Sequence, residues 1–298
     1  SPEESSGCSI QPYNENILLH PWEKEIMAQA SQRIPAVAGL FYPADPHSLH
    51  AQVAGFLAAA MPGEMVAAPK AVVVPHAGYI YSGAVAASAY AELTQRRDTI
   101  RRVLILCPTH RVYVRGMAVP AAQSFLTPLG AVAVDRDAWL AASSLPGVIV
   151  DDQPHAEEHA IEVQLPFLQS TLDHFTILPI AVGDADPAQV AAVIEALWGG
   201  PETLIVISSD LAHHHPDRQA QCRDKATIAQ IRQLDATLDG EQACGAGAIN
   251  GLLLAARRNH LTPHLLDLRN SGDTAGDRSR VVSYASIAFS DDNNHAHH

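Results

Sequence analysis

Cysteine is scarce in this chain. Its 298 residues hold only four, Cys8, Cys107, Cys222 and Cys244, far apart and with no C-x-x-C pair. That spacing excludes a disulfide framework and a zinc ribbon, and it fits a reducing, cytoplasmic setting. Basic residues are few as well, with 19 Lys and Arg against 32 Asp and Glu. The one dense basic run, "RRDTIRR" at Arg96 to Arg102, falls between a helical pattern and a strand, as a solvated turn would, so no nucleic-acid surface is expected. No apolar run reaches membrane-spanning length and no basic-then-apolar signal pattern opens the chain, so no membrane role is expected. The first 26 residues lack a sustained hydrophobic period and Met27 follows them directly. Residues 1–26 are therefore expected to be a leader or an added segment outside the domain, and residues 291–298 a polar tail whose histidines are disordered rather than ligating.

What the chain does have is an alternation of β-rich runs and helical patterns. "KAVVVPH", "RRVLILCPTH", "FTILPIAVGD", "TLIVISSD", "LTPHLLDLR" and "RVVSYASIAFS" are apolar at nearly every position, as strands covered on both faces would be. Helices are expected between them. Asp45 caps one, with Pro46 in its first position and Leu49, Val53, Phe56 and Leu57 as its buried stripe. Others are expected in "SGAVAASAYAEL", in "PAQVAAVIEALW", from about Asp217 to Leu238, and in "AINGLLLAARR". The pattern predicts one three-layer α/β/α domain over residues 27–290, built on a mixed, mostly parallel central sheet.

Polar residues fall at telling places on this framework. His76 follows "VVVP", His110 follows "LILCPT" and Asp210 follows "IVISS", so three chemically capable residues each close an apolar strand. Ligands of open α/β sheets bind beyond the carboxyl ends of the strands, so one crevice is expected to hold all three. Each alone also reads as a hydrogen-bonded structural residue. In "PHAGYIYSG", Gly78 and Gly83 permit a tight strand-to-helix turn, and the flanking Tyr79 and Tyr81 make a compact binding mouth. The segment "QPHAEEHAIEVQLPFL" puts His155, His159 and Glu162 at helical spacing, where one face could bind a metal. It departs from H-E-x-x-H, however, and His155 falls where the helix has yet to start, so His159 is expected to line the pocket as a hydrogen-bond partner.

Taken in order and spacing, "RIPAVAGLFYPAD", "VVPHAGYIYSG", "CPTH", "EEHAIEVQLPFL", "ISSDLAHH", "CGAGAI" and "NSGDTAGDRSRVVSYASIAF" resemble the MEMO family, whose prokaryotic members are called AmmeMemoRadiSam system protein B. The resemblance spans about Arg33 to Ser290. The family is similar in fold to the class III extradiol ring-cleaving dioxygenases, which are non-haem iron enzymes, and its name links it to radical-SAM and AMMECR-type proteins. The resemblance implies a metal site of His76, His110 and Cys244, with Asp210 and His213 beside it and His213 at the position of the dioxygenases' acid/base histidine. His214 and His215 match nothing in that pattern and are expected at the surface. Cys244 stands where a carboxylate would complete the two-histidine, one-carboxylate iron site, and a thiolate is a softer, oxidisable donor that suits copper, zinc or iron. Read by itself, Cys244 also fits an inert small residue in a helix-start turn.

The expected cofactor is thus a divalent or redox metal ion, iron first, with copper and zinc behind it. The expected function is that of a metal-dependent redox enzyme acting on an unidentified small molecule or macromolecule. Two alternatives stand beside it: a non-catalytic module that binds a peptide or protein in the same crevice, and a metal-dependent hydrolase.

Overall fold

A computed structural model describes residues 31–61 and 67–295. The expected leader, residues 1–26, lies outside them, as do Met27, Cys8 and the last three residues. In chain order the strands are β1 (Gln32–Arg33), β2 (Ala71–Val74), β3 (Arg102–Pro108), β4 (Met117–Val119), β5 (Ser124–Thr127), β6 (Gly130–Ala133), β7 (Val148–Val150), β8 (Thr176–Val182), β9 (Thr203–Ser208), β10 (His213–His215), β11 (Thr262–Asn270) and β12 (Val281–Ser290). The α-helices are α1 (Pro46–Ala59), α2 (Tyr79–Tyr90), α3 (Arg136–Ser143), α4 (Gln153–Ala156), α5 (His159–Glu162), α6 (Leu165–Thr171), α7 (Pro187–Ala196), α8 (Asp217–Arg232), α9 (Ala246–Arg258) and α10 (Ser271–Thr274). None of them is long and apolar enough to cross a membrane.

The main sheet runs β10-β12-β2-β9-β3-β8-β4-β7, with β11 also on β12. Its centre, β2-β9-β3-β8, is parallel, and antiparallel pairings flank it at β12–β2 and β8–β4. Strand side chains alternate between faces, and two cores result. Val73, Leu104, Leu106, Ile205 and Ile207 pack with α7 and α9 on one side, while Val72, Val103, Ile105, Leu204 and Val206 pack with α1, α2 and α6 on the other. This is the three-layer arrangement that the continuous apolar runs predict, since strands covered on both faces need no polar alternation.

Several features go beyond the sequence reading. A small second sheet, β1-β5-β6, joins the N-terminal strand to a hairpin. The start of the expected polar tail is held on the domain: Asp292–His295 forms a 3-10 turn, Asp292 Oδ1 accepts from Ser290 Oγ at 2.7 Å, and Asp292 Oδ2 lies 2.9 Å from His264 Nε2. The basic run is not a free patch either. Arg96 donates to the carbonyls of Pro69 and Pro201, Arg97 pairs with Asp173, and Arg102 with Asp135.

His155 does not share a helical face with His159 and Glu162: it precedes the helix on which they lie. The chain breaks at Glu157 and Glu158 into the separate turns α4 and α5, and His155 points into the core, 2.9 Å by Nε2 from Ala118 O. Burial pushes its pKa down to about 4, so the folded protein holds this imidazole neutral. Its folded pKa lies below the unfolded value, so the unfolded chain takes up a proton first as pH falls, and stability is full above about 6.5. Stability is then expected to fall by about 1.4 kcal/mol per pH unit on account of this group as pH drops toward 4. A pH series of urea unfolding curves checks this, and a His155→Gln slope as steep as that of the wild type would remove His155 as the cause.

Candidate metal centre

Because β2, β3, β8 and β9 run parallel, their carboxyl ends lie along one edge of the sheet. β2 leads to His76, β3 to His110 and β9 to Asp210, which puts these residues side by side. The rings of His76 and His110 lie 5.1 Å apart between centroids. His159, first residue of α5, completes the group, its ring 4.8 Å from His110 and 5.2 Å from His76. One ring nitrogen of each lies within 4.8 Å of those of the other two.

Cys244 comes from the face of the sheet that α9 covers, opposite the face of α5. It precedes α9 in a turn packed against the end of β9, where Cys244 N donates to Asp210 O at 3.3 Å and Gly245 N to Ser209 Oγ at 2.9 Å. The approach needs glycine: a Cβ on Gly245 would stand 2.7 Å from Ser209 Cβ. Cys244 Sγ comes to 3.3 Å from His76 Nε2 and accepts from Asp210 N at 3.3 Å.

The electrostatics suit a cation. Burial and the charge of His110 drive the pKa of His76 down to about 3, and burial together with His76 takes His159 to about 4, so both imidazoles are neutral and keep a lone pair for a ligand. His110 is held differently. Burial opposes its charge, but the hydrogen bond and charge of Glu158 outweigh burial and raise its pKa. The Glu158 carboxylate accepts from His110 N at 2.8 Å and from Ala160 N at 3.0 Å, lies 2.9 Å from His110 Nδ1, and is lowered to about 2 by these contacts despite burial. Burial, then the charge of Asp210, pushes the Cys244 thiol up to about 12. Three imidazoles and a thiol are nitrogen and sulfur donors of the kind zinc, copper and iron take, and the carboxylate behind His110 is the outer partner that metal-bound histidines usually have. The residues fit a transition-metal ion.

Beside the group lies a cavity of about 380 Å³, lined by Phe41, Tyr81, His159, Asp210, His213 and Tyr284 among others. Asp210 Oδ1 accepts from His76 N at 2.8 Å, and burial raises its pKa while the same burial lowers that of His213. Of the "HHH" run, His213 lines this cavity. His214 is an exposed bulge residue with φ of 63°, between the pairs His213–Val282 and His215–Val281. Of the two tyrosines expected at the binding mouth, Tyr81 lines the cavity and Tyr79 is a core residue. The Tyr79 hydroxyl donates to Val163 O at 2.6 Å, and its ring packs on Phe167.

From sequence, His159 is a candidate ligand only in company with His155 and Glu162 and is expected in the lining, while Glu158 carries no expectation. The doublet Glu158–His159 was the available signal, an acidic residue directly before an imidazole at a helix start.

A family model described as Memo-like protein matches residues 33–288. A MEMO1 family protein of Sulfolobus acidocaldarius is 36% identical over 285 residues, covering 87% of this chain and 99% of that one. One from Methanopyrus kandleri is 36% identical over 280 residues, covering 87% and 99%, and one from Aquifex aeolicus 35% over 270 residues, covering 86% and 98%. The matched region contains His76, His110, His159, Asp210, His213 and Cys244, and on this footing the chain belongs to the Memo-like protein family.

Proposed function

We propose that this chain is a metal-dependent redox enzyme whose ion is held by His76, His110 and Cys244, with His159 as an adjoining imidazole donor. The observation that carries the reading is the convergence of three imidazole nitrogens within 4.8 Å of one another, with Cys244 Sγ 3.3 Å from His76 Nε2, at the edge of a cavity. Iron, or copper in its place, supplies electron transfer and Lewis acidity when bound. The protein's own part is to position and to move protons. Glu158 orients His110, and the Asp210 backbone amide points at Cys244 Sγ. His213, kept neutral by burial, is placed to take a proton from a hydroxyl of the substrate, and Asp210 across the same cavity stabilises the resulting imidazolium. Among the described residues no Lys or Arg lines the cavity, and Phe41, Tyr81, Val282 and Tyr284 supply much of its wall, so it suits an uncharged, largely aromatic or apolar substrate. A cytoplasmic location and a functional link to radical-SAM and AMMECR-type proteins belong to the same proposal.

The test is elemental analysis of protein isolated anaerobically without a histidine tag, followed by oxygen-uptake assays with phenolic compounds. About one iron or copper per chain is expected. The His213→Ala variant is expected to keep that metal while uptake falls by roughly 100-fold or more, the usual contribution of a positioned acid or base, and His214→Ala and His215→Ala to behave as wild type. A chain that never carries a redox metal, or equal metal loss in all three variants, would sink the reading. Peptide binding that survives chelation would favour a non-catalytic module instead.

A further inference from the structure

Behind His76 lies a line of buried side chains outside the cavity lining. Tyr90, Gln164 and Ser208 are each 0% exposed and His76 1%. Two backbone carbonyls, which can only accept, fix the direction of every hydrogen bond in the line. Pro75 O lies 2.9 Å from one terminal atom of Gln164, so that atom is the amide nitrogen Nε2. Gln164 Oε1 therefore faces Tyr90, whose hydroxyl donates to it at 2.8 Å. Ala160 O lies 2.7 Å from Ser208 Oγ, so the single hydroxyl proton of Ser208 points there. The same oxygen accepts from Gln164 Nε2 at 2.9 Å.

One lone pair of Ser208 Oγ is left, and His76 Nδ1 stands 3.0 Å away. An oxygen whose proton is engaged elsewhere can only accept, so Nδ1 carries the hydrogen. A neutral imidazole protonated at Nδ1 has its lone pair on Nε2. That is the atom 3.3 Å from Cys244 Sγ. For His110 the group facing Nδ1 is the carboxylate of Glu158, whereas for His76 it is the hydroxyl oxygen of a serine.

We infer that Ser208, held by Gln164 and Tyr90, is a positioning residue that fixes His76 as its Nδ1–H tautomer and so presents Nε2 as a ready donor to a metal ion. Its purpose rests on the metal-centre reading, but the tautomer does not depend on any metal being bound. The two can therefore fail separately.

The test is long-range proton–nitrogen correlation NMR on metal-free protein carrying nitrogen-15 histidine, together with titration by zinc alone. In the wild type His76 is expected to show a protonated Nδ1 and a bare Nε2, with the His110 signals as an internal check on folding. In Ser208→Ala the Nε2–H form is expected to appear, and zinc affinity to fall by roughly 10- to 100-fold, the usual effect of losing an outer partner of a metal-bound histidine. Ser208→Thr, which keeps the hydroxyl, is expected to restore both. A wild-type His76 protonated at Nε2 would overturn the inference even if no variant folded, and so would Ser208→Ala with wild-type tautomer and affinity. A wild type with the Nδ1–H tautomer that binds no zinc would support the tautomer assignment and count against the metal centre.

Discussion

Arg33→Met is expected to destabilise the protein by about 3–5 kcal/mol, because it leaves a buried carboxylate without its charge partner. Glu162 is 0% exposed, and besides the Arg33 guanidinium it accepts from Ala36 N at 2.8 Å, Val37 N at 3.0 Å and Tyr42 Oη at 2.6 Å. One anion thus gathers the segment from Arg33 to Tyr42 onto the body of the domain. Arg33 also donates to His155 O at 2.9 Å and Glu158 O at 2.6 Å, so its loss strands two carbonyls as well. For a domain of this size the change corresponds to a fall in Tm of roughly 10 °C. Calorimetry reads it directly. The double variant Arg33→Met/Glu162→Leu is expected to recover part of the loss, since removing both charges abolishes the uncompensated anion. A Tm within 2–3 °C of wild type, about the shift expected for a single kcal/mol, would show that water reaches Glu162 once Arg33 is gone.

The second large effect is expected on metal affinity. His76 meets Asp210 through its backbone amide, a contact that alanine retains, so His76→Ala removes the imidazole without undoing the strand-end turn. Affinity for zinc or iron is expected to drop by more than roughly 100-fold, beyond the range typical of losing an outer partner. Cys244→Ser is expected to weaken binding strongly too, as a neutral hydroxyl replaces an anionic sulfur, whereas Cys107→Ser and Cys222→Ser leave it intact. Competition against a chromophoric chelator measures all four. Wild-type affinity in His76→Ala would show that the imidazole group is not the ion's seat.

His76, His110 and Asp210 were legible in the sequence because each closes a run of apolar strand residues, and parallel strands put their carboxyl ends together whatever the loops do. The layers were legible for the same reason, since a strand apolar on both faces demands cover on both. Cys244 was not readable this way. Its approach to β9 depends on a Gly245–Ser209 contact between segments far apart in the chain, and only the family resemblance pointed to it. His155 precedes the turn that carries His159 and Glu162, because at Glu157 and Glu158 the chain starts a new turn capped by the Glu158 side chain, a break that helical spacing alone does not show. The pairing of Arg33 with Glu162 spans 129 residues, and β1 has only two residues, so neither leaves any period in the sequence.

The strand-end arrangement also governs when the site can exist. His76 and Cys244 are 168 residues apart, and they meet only after β2, β9 and β3 have paired and α9 has docked on them. Pairings of that range are late events in folding, because a long loop must close before the contact repays it. Metal therefore cannot nucleate this fold in the way it nucleates a zinc finger, whose ligands are near neighbours in the chain. An ion that binds only the finished crevice instead acts as a clasp on an already folded molecule, lengthening its lifetime by the factor 1 + M/Kd, with M the free ion concentration, and leaving the route by which it folded unchanged.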